Sequence, residues 1–249
     1  AQTIHCTKTG RLVITTVGQI NFYDGAQFSY IDPTDENIYA LPEYRGNYHL
    51  YFDRYHHIWL KNTHSVTCVD LTTERFAASI DDELHNFGVK DRVLDLFVDS
   101  TGVVWVLSAG GLYNVETKKV LKPRPRLNLQ DVEVYKDKNV MLFYENGLVE
   151  RYETATGKKV AESRAYGDAD GQRYGASSLV MKYHQKVYQI RNGSKEAVLM
   201  NYDVDHNQWN EILRTPYHLN NMAFKDSLMY VACIARSEER RVGKECRSR

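Results

Sequence analysis

Cysteine is scarce in this chain, which has only four among 249 residues. No two of them form a C-x-x-C pair, and three remain once Cys246 is set aside with the C-terminal tail discussed below. An odd number without such a pair indicates neither a disulfide framework nor a cysteine zinc site. The remaining three are Cys6, Cys68 and Cys233.

Long apolar runs and targeting signals are also missing. No stretch reaches the roughly 18 apolar residues that a membrane-spanning helix needs. The chain starts at Ala1 without Met, a basic n-region or an apolar h-region, so we expect either a mature form after signal removal or a fragment. With 43% hydrophobic residues and only five prolines, the composition is typical of a globular protein with a core to bury.

Sequence signatures of catalysis are absent too. The chain has no G-x-S-x-G, no phosphate-binding glycine loop and no Cys/His pair in a familiar context. His49, His56, His57 and His64 lie close together in sequence, and a metal site there is the alternative to solvated turn residues. Because His56 and His57 fall in an expected hairpin turn, we interpret them as solvated. We predict no catalytic residue, no metal and no cofactor.

The last 14 residues, 236–249, differ from the rest because they lack apolar alternation. They resemble the in-frame translation of a common sequencing-library adapter, so we interpret them as an artefactual, disordered tail. A basic tail that binds nucleic acid or lipid is the alternative. Without these residues, 26 basic side chains face 29 acidic ones. No basic stripe remains to neutralise phosphates, and we predict no nucleic-acid partner.

What the sequence does contain is a repeat. An aspartate precedes a tryptophan by six residues twice, as Asp53/Trp59 and Asp99/Trp105, and the two copies lie 46 residues apart. Around each pair, alternating apolar runs are separated by turn residues, which predicts antiparallel strands. The aspartate is expected to accept backbone N–H groups in its turn, and the tryptophan to be buried between blades with its indole N–H available for a partner. We interpret all four as architectural.

Weaker copies extend the repeat along the chain. The middle of each second strand falls at intervals of 46, 46, 36, 47 and 41 residues, a period close to one blade of a β-propeller. The sequence therefore predicts an all-β fold, a β-propeller of four-stranded antiparallel blades, with five to six blades in residues 1–235. A ring of seven would need roughly 300 residues, so we expect an incomplete ring. The marker residues are Val13, Trp59, Trp105, Met141, Tyr188 and Met229.

Residues 93–121 carry a resemblance to a known family. Their sequence, with Asp99, Gly102, Trp105 and a later Gly-Leu pair, resembles the two-component-regulator propeller repeat. Residues 48–76 match less well, because Tyr55–His57 replace the turn glycine. The resemblance implies an extracytoplasmic, periplasmic sensor region of an inner-membrane regulator of the Bacteroidetes type, including hybrid histidine kinases that detect glycan fragments. It also implies that further blades, a membrane helix and a kinase or DNA-binding output module lie outside this chain.

Three classes of function remain open. The first is a non-catalytic propeller that senses a small molecule or oligosaccharide, as a monomer or a homodimer. The second is a propeller enzyme of the lyase, lactonase or quinoprotein type, and the third is a protein-interaction scaffold. For the sensor, loops between strands and between blades should supply the ligand contacts. The candidates are His64, Tyr144 and Arg191 after second strands, and Arg45 and Arg92 between blades.

Overall fold

A computed structural model describes residues 3–7, 9–16, 19–43, 49–136, 138–165, 174, 180–183 and 186–234. Arg45 and the tail of residues 236–249 lie outside these ranges. The chain divides into two compact units, residues 1–121 and 122–249, and each is described by itself.

The first unit contains three antiparallel sheets. The first blade has strands β1 (Thr3–Cys6), β2 (Leu12–Thr16), β3 (Gln19–Tyr23) and β4 (Phe28–Ile31). A 3-10 turn (Asp35–Asn37) and the short β5 (Tyr39–Ala40) precede the second blade, which has β6 (His49–Phe52), β7 (His57–Lys61), β8 (Ser65–Asp70) and β9 (Arg75–Phe76). Helix α1 (Ile80–Asn86) leads to the third blade, with β10 (Val93–Val98), β11 (Val104–Ser108), β12 (Gly111–Asn114) and β13 (Val120–Leu121).

The second unit contains two more four-stranded sheets and a hairpin. The fourth blade has β14 (Leu129–Tyr135), β15 (Asn139–Tyr144), β16 (Leu148–Glu153) and β17 (Lys159–Arg164). The fifth has β18 (Val180–Tyr183), β19 (Lys186–Asn192), β20 (Ala197–Asp203) and β21 (Gln208–Thr215). The hairpin is β22 (His218–Lys225) with β23 (Leu228–Ile234).

These sheets confirm the predicted fold class, an all-β propeller built from four-stranded antiparallel blades. All six marker residues lie in the second strand of a sheet or of the hairpin, as the period required. One detail departs from a simple meander. Two short strands form the outer edge of the second blade, because β5 pairs with the start of β8 and β9 pairs with its end.

Alternating side chains give each unit a core between its own sheets. In the first blade, Val13, Ile20 and Phe22 are buried against Ile58 and Val69 of the second blade. The fourth and fifth blades pack in the same manner, with a cluster that includes Phe143, Tyr202 and Trp209. Burying apolar side chains at period two on stacked sheets is what stabilises each blade.

Helix α1 is not expected from the strand repeat. The Ser79 hydroxyl caps it by accepting the Asp82 N–H at 3.2 Å, and Asp81, Asp82 and Glu83 place negative charge in the first turn. Ile80 and Leu84, four residues apart, bury one face of the helix in a cluster that includes side chains of the second and third blades. The helix therefore fills the space beside the crossover between these two blades.

The repeated aspartate and tryptophan turn out to be partners. Asp99 accepts the indole N–H of Trp105 at 2.7 Å, and Asp53 accepts that of Trp59 at 2.8 Å. The other oxygen of each carboxylate accepts backbone N–H groups of its own turn, as predicted. Trp59 and Trp105 are 0% and 3% exposed, which confirms their burial. The spacing of six residues therefore places the two side chains within hydrogen-bond distance of each other across one hairpin.

Gly102 should be far less tolerant of substitution than its counterpart in the second blade. It has a φ of +82° and a Cβ there would lie 2.9 Å from the Arg54 backbone nitrogen. We expect Gly102→Ala to lower the free energy of unfolding by about 2–3 kcal/mol, measured by urea denaturation. His56 holds the same turn position with a φ of 71°. The matched change His56→Ala should cost under about 1 kcal/mol, and equal losses at both sites would contradict this account.

Candidate ligand-binding residues

Two of the sequence-predicted candidates lie on the surface of the first unit. His64 is exposed in the turn between β7 and β8, and its backbone oxygen accepts the Leu41 N–H at 2.8 Å. Its imidazole Nδ1 lies 3.1 Å from the Thr63 hydroxyl. Arg92 is exposed immediately before β10. Both therefore present polar side chains to solvent at the ends of blade strands.

Tyr144 is placed differently, because it is 0% exposed at the end of β15. Its hydroxyl donates to Glu150 at 2.7 Å and accepts the Arg124 backbone N–H at 2.8 Å. Burial, together with the hydrogen bond to Glu150, raises the pKa of Tyr144 well above its usual value. The phenol is therefore a neutral donor fixed inside the fourth blade.

Glu150 is the centre of a polar network that sequence reasoning missed. Its side chain is only 2% exposed, and besides Tyr144 it accepts hydrogen bonds from Tyr152 at 3.1 Å and from Arg124 and Lys159, each at 3.2 Å. Burial acts to raise the pKa of Glu150, but these hydrogen bonds outweigh it and hold the pKa below the usual range. β16 reads Leu-Val-Glu-Arg-Tyr-Glu, with three charged residues, so the sequence held no signal that singles out Glu150.

Arg191 is also buried and 0% exposed. Its guanidinium donates to the backbone oxygen of Tyr144 at 2.9 Å and to that of Glu145. This fork ties the end of β19 to the turn that follows β15, so it joins the fifth blade to the fourth. Among the candidates that the structure describes, Tyr144 and Arg191 thus lie together within the second unit, in the interior and not on a surface. The assignment of ligand contacts to the five residues stays a prediction.

A buried ion pair in the first unit also escaped the sequence. Lys61 Nζ lies 3.0 Å from Asp95 Oδ1, with side chains 1% and 0% exposed, and the ammonium sits 4.2 Å from the centre of the Phe97 ring. His49 pairs with Lys61 across β6 and β7. Burial and the Lys61 charge lower the pKa of His49 to about 3, so that imidazole is neutral at physiological pH.

Asp95 also makes a side-chain-to-backbone hydrogen bond that is repeated on the first strands of three sheets. At a β-bulge, the side-chain oxygen of Asp95, Asp131 or Asn221 accepts the N–H of the next residue, at 2.8 Å in each case. An oxygen acceptor at this position therefore serves the backbone of the bulge. Since Asn221 fills the role without a charge, the bulge does not require the charge of Asp95, which pairs with Lys61.

The histidines of the second blade form no metal site together. In the described residues, no group of three or more His, Cys, Asp or Glu side chains is arranged to hold a metal ion. The interpretation of His57 as a solvated turn residue is wrong: it begins β7, its side chain is 14% exposed, and Nδ1 lies 2.9 Å from Asp53. His56, in contrast, is exposed in the turn.

Comparison with known proteins was informative at the level of structure alone. No family model matches the sequence, and no curated protein matches it. The fold resembles the extracellular domain of a hybrid two-component system from B. thetaiotaomicron, with a TM-score of 0.57 and 14% identity over 92% of this chain. It also resembles the extracellular domain of a one-component system from the same organism, with a TM-score of 0.53 and 11% identity over 93% of the chain.

A third similar structure is PorZ, a surface component of the type-IX secretion system of Porphyromonas gingivalis, with a TM-score of 0.53, 11% identity and 93% of this chain covered. The likeness shows the fold. It does not extend to whole proteins, because this chain spans 32%, 34% and 29% of the three structures. Among the described residues, no helix is both long and apolar enough to cross a membrane.

Proposed function

We propose that this chain is part of an extracytoplasmic, non-catalytic sensor propeller of a two-component regulator. The observation that carries the proposal is the likeness of its blades to extracellular domains of a hybrid and a one-component system, over more than nine-tenths of the chain. The Asp–Trp repeat of the second and third blades supports it, because both copies serve architecture and leave the loops between strands for recognition. The output module and the membrane attachment belong to sequence outside this chain.

The ligand we propose is a small molecule or an oligosaccharide. His64 and Arg92 are the described candidates with exposed side chains, and imidazole and guanidinium groups donate hydrogen bonds to sugar hydroxyls and carboxylates. Tyr144 and Arg191 act in this proposal as supports, because the Tyr144 hydroxyl braces the fourth blade through Glu150 and the Arg191 guanidinium joins the fifth blade to the fourth. We also propose that two copies of the chain form a homodimer, in which each copy binds the ligand.

Calorimetric titration of the chain with neutral and uronic-acid-containing oligosaccharides tests this function. We expect one class to bind, and His64→Ala or Arg92→Ala to weaken binding at least about fivefold. Arg75→Ala is the matched control, because Arg75 is exposed on the outer strand β9 and should leave affinity unchanged. Absence of binding to either class, or equal losses in all three variants, would reject the oligosaccharide proposal.

A further inference from the structure

The turn between β6 and β7 of the second blade and the turn between β10 and β11 of the third make matching hydrogen bonds. The N–H of Asp53 donates to the backbone oxygen of His57 at 3.1 Å, and that of Asp99 donates to Val103 at 3.1 Å. In return, each aspartate accepts the N–H four residues later. His57 therefore occupies the position that buried Val103 occupies in the next blade. Since valine suffices for this turn, the architecture does not require a titratable side chain here.

The His57 imidazole connects two elements that Val103 does not. Nδ1 lies 2.9 Å from Asp53 Oδ2 in its own turn, and Nε2 lies 3.8 Å from Glu83 Oε2 on α1. The ring is also nearly perpendicular to that of Phe87, the residue that follows the helix, with 6.2 Å between centroids. Asp70 is the cross-strand partner of His57 on β8. The imidazole is thus faced by carboxylates from the turn, from β8 and from α1.

We propose that His57 is a pH-operated latch that holds α1 against the second blade. With both ring nitrogens protonated, the imidazolium bridges Asp53 and Glu83. When it loses a proton, Nδ1–H can still donate to Asp53, but the lone pair of Nε2 then faces the Glu83 carboxylate. Deprotonation therefore removes the attraction to the helix while the turn keeps its hydrogen bond.

The direction of the pH dependence follows from the charges around the ring. The hydrogen bond to Asp53 raises the pKa of His57 above its usual value, burial opposes this, and the charges of Asp53, Glu83 and Asp70 add to the rise. A raised pKa means that the latch is fully closed below the ordinary histidine pKa and opens as the pH climbs through the raised value. Arg54, in the same turn, points to Thr101 and Glu116 instead.

The other ionisable neighbour is the thiol of Cys68, on β8. It is 0% exposed, and burial, reinforced by the same three carboxylates, raises its pKa well beyond the physiological range. The thiol therefore stays neutral while His57 titrates.

Loss of the attraction between His57 and Glu83 would also affect the packing around α1. Ile80 and Leu84 of α1 share a hydrophobic cluster with Trp59 of the second blade and with Leu96 and Val104 of the third. A helix held less firmly loosens the packing beside the crossover between these blades. In a protein exposed to the outside medium, such a device would couple the pH of that medium to the rigidity of the first unit; the latch itself does not depend on which ligand the propeller binds.

Amide hydrogen exchange of the α1 segment, read by mass spectrometry at pH about 5.5 and about 8.5 and corrected for intrinsic exchange, tests the latch. We expect protection in the wild-type chain to fall about three- to tenfold between the two. The difference should vanish in His57→Val, which installs the residue of the third blade. It should also shrink to under about twofold in Glu83→Gln, a change at a half-buried helix position that spares the turn.

His85→Gln is the matched control, because His85 is an exposed histidine on the same helix. It should keep most of the pH difference of the wild type, because it removes only the weak interaction of the His85 charge with the end of the helix. Equal protection of the wild-type helix at both pH values would overturn the latch, and so would an undiminished difference in either His57→Val or Glu83→Gln. Because Glu83→Gln leaves the core unchanged, it remains decisive if His57→Val folds poorly.

Discussion

Replacing Asp99 with alanine is expected to destabilise the first unit strongly. The carboxylate is 3% exposed and accepts three N–H groups, from Thr101, Val103 and the Trp105 indole. Alanine leaves those donors without this acceptor, and each buried donor costs about 1–3 kcal/mol unless water reaches it. Because Thr101 in the turn is exposed while Trp105 is buried, the turn donor is solvated more easily than the indole, and we expect a loss of about 3–5 kcal/mol in the free energy of unfolding.

The matched variant for this test is Asp99→Asn. Its side-chain oxygen can still accept the backbone N–H groups of Thr101 and Val103, but its amide then faces the Trp105 indole N–H. We expect it to lose about half as much as alanine in urea denaturation, roughly 1–3 kcal/mol. An alanine variant as stable as wild type would show that the carboxylate does not organise the turn.

The second large effect is expected at Lys61. Lys61→Met keeps most of the apolar stem but removes the ammonium that lies 3.0 Å from the buried carboxylate of Asp95. Removing one member of a buried ion pair costs about 3–5 kcal/mol, because an uncompensated charge stays in the interior. We therefore expect a loss of this size in the free energy of unfolding, measured by urea denaturation.

The double variant Lys61→Met/Asp95→Asn separates the charge from the packing. Asparagine keeps the oxygen that accepts the Leu96 N–H, as Asn221 does for Met222 in the hairpin. Without a buried charge, most of the lost stability should return, to within about 1–2 kcal/mol of wild type. A double variant as unstable as Lys61→Met would show that the loss comes from packing, including the contact with the Phe97 ring.

Much of the fold could be predicted because its signals are local. Each blade is a meander whose strands follow one another, so alternation and turn residues within about 45 residues specify a complete sheet. The Asp–Trp hydrogen bond is local as well, since its donor and acceptor are six residues apart. Helix α1 has local signals, Ser79 as cap and the Ile80/Leu84 pair, but seven residues are too few for the period of a helix to stand out among strands.

The candidate site was harder to predict because exposure depends on what lies against a strand. Tyr144 and Arg191 occupy corresponding strand ends, where a polar side chain suggests a loop open to solvent. The Tyr144 hydroxyl is buried against Glu150 of its own blade. The Arg191 guanidinium is buried where the fifth blade meets the fourth, and it donates to the backbone oxygen of Tyr144. His64 and Arg92 have the same polar character and remain exposed. No property of the residue types distinguishes these two outcomes.

The sequence by itself determined the period, the strands, the antiparallel blades and the turns held by Asp53 and Asp99, because all of these depend on residues close together in the chain. The tertiary structure alone decided which polar side chains are buried and which partners they meet. Lys61 finds Asp95 34 residues away, and His57 finds Glu83 on a helix beyond its own sheet. Such pairs form only when neighbouring elements stack. Stacking excludes water, and a buried charge then costs free energy unless it has a partner.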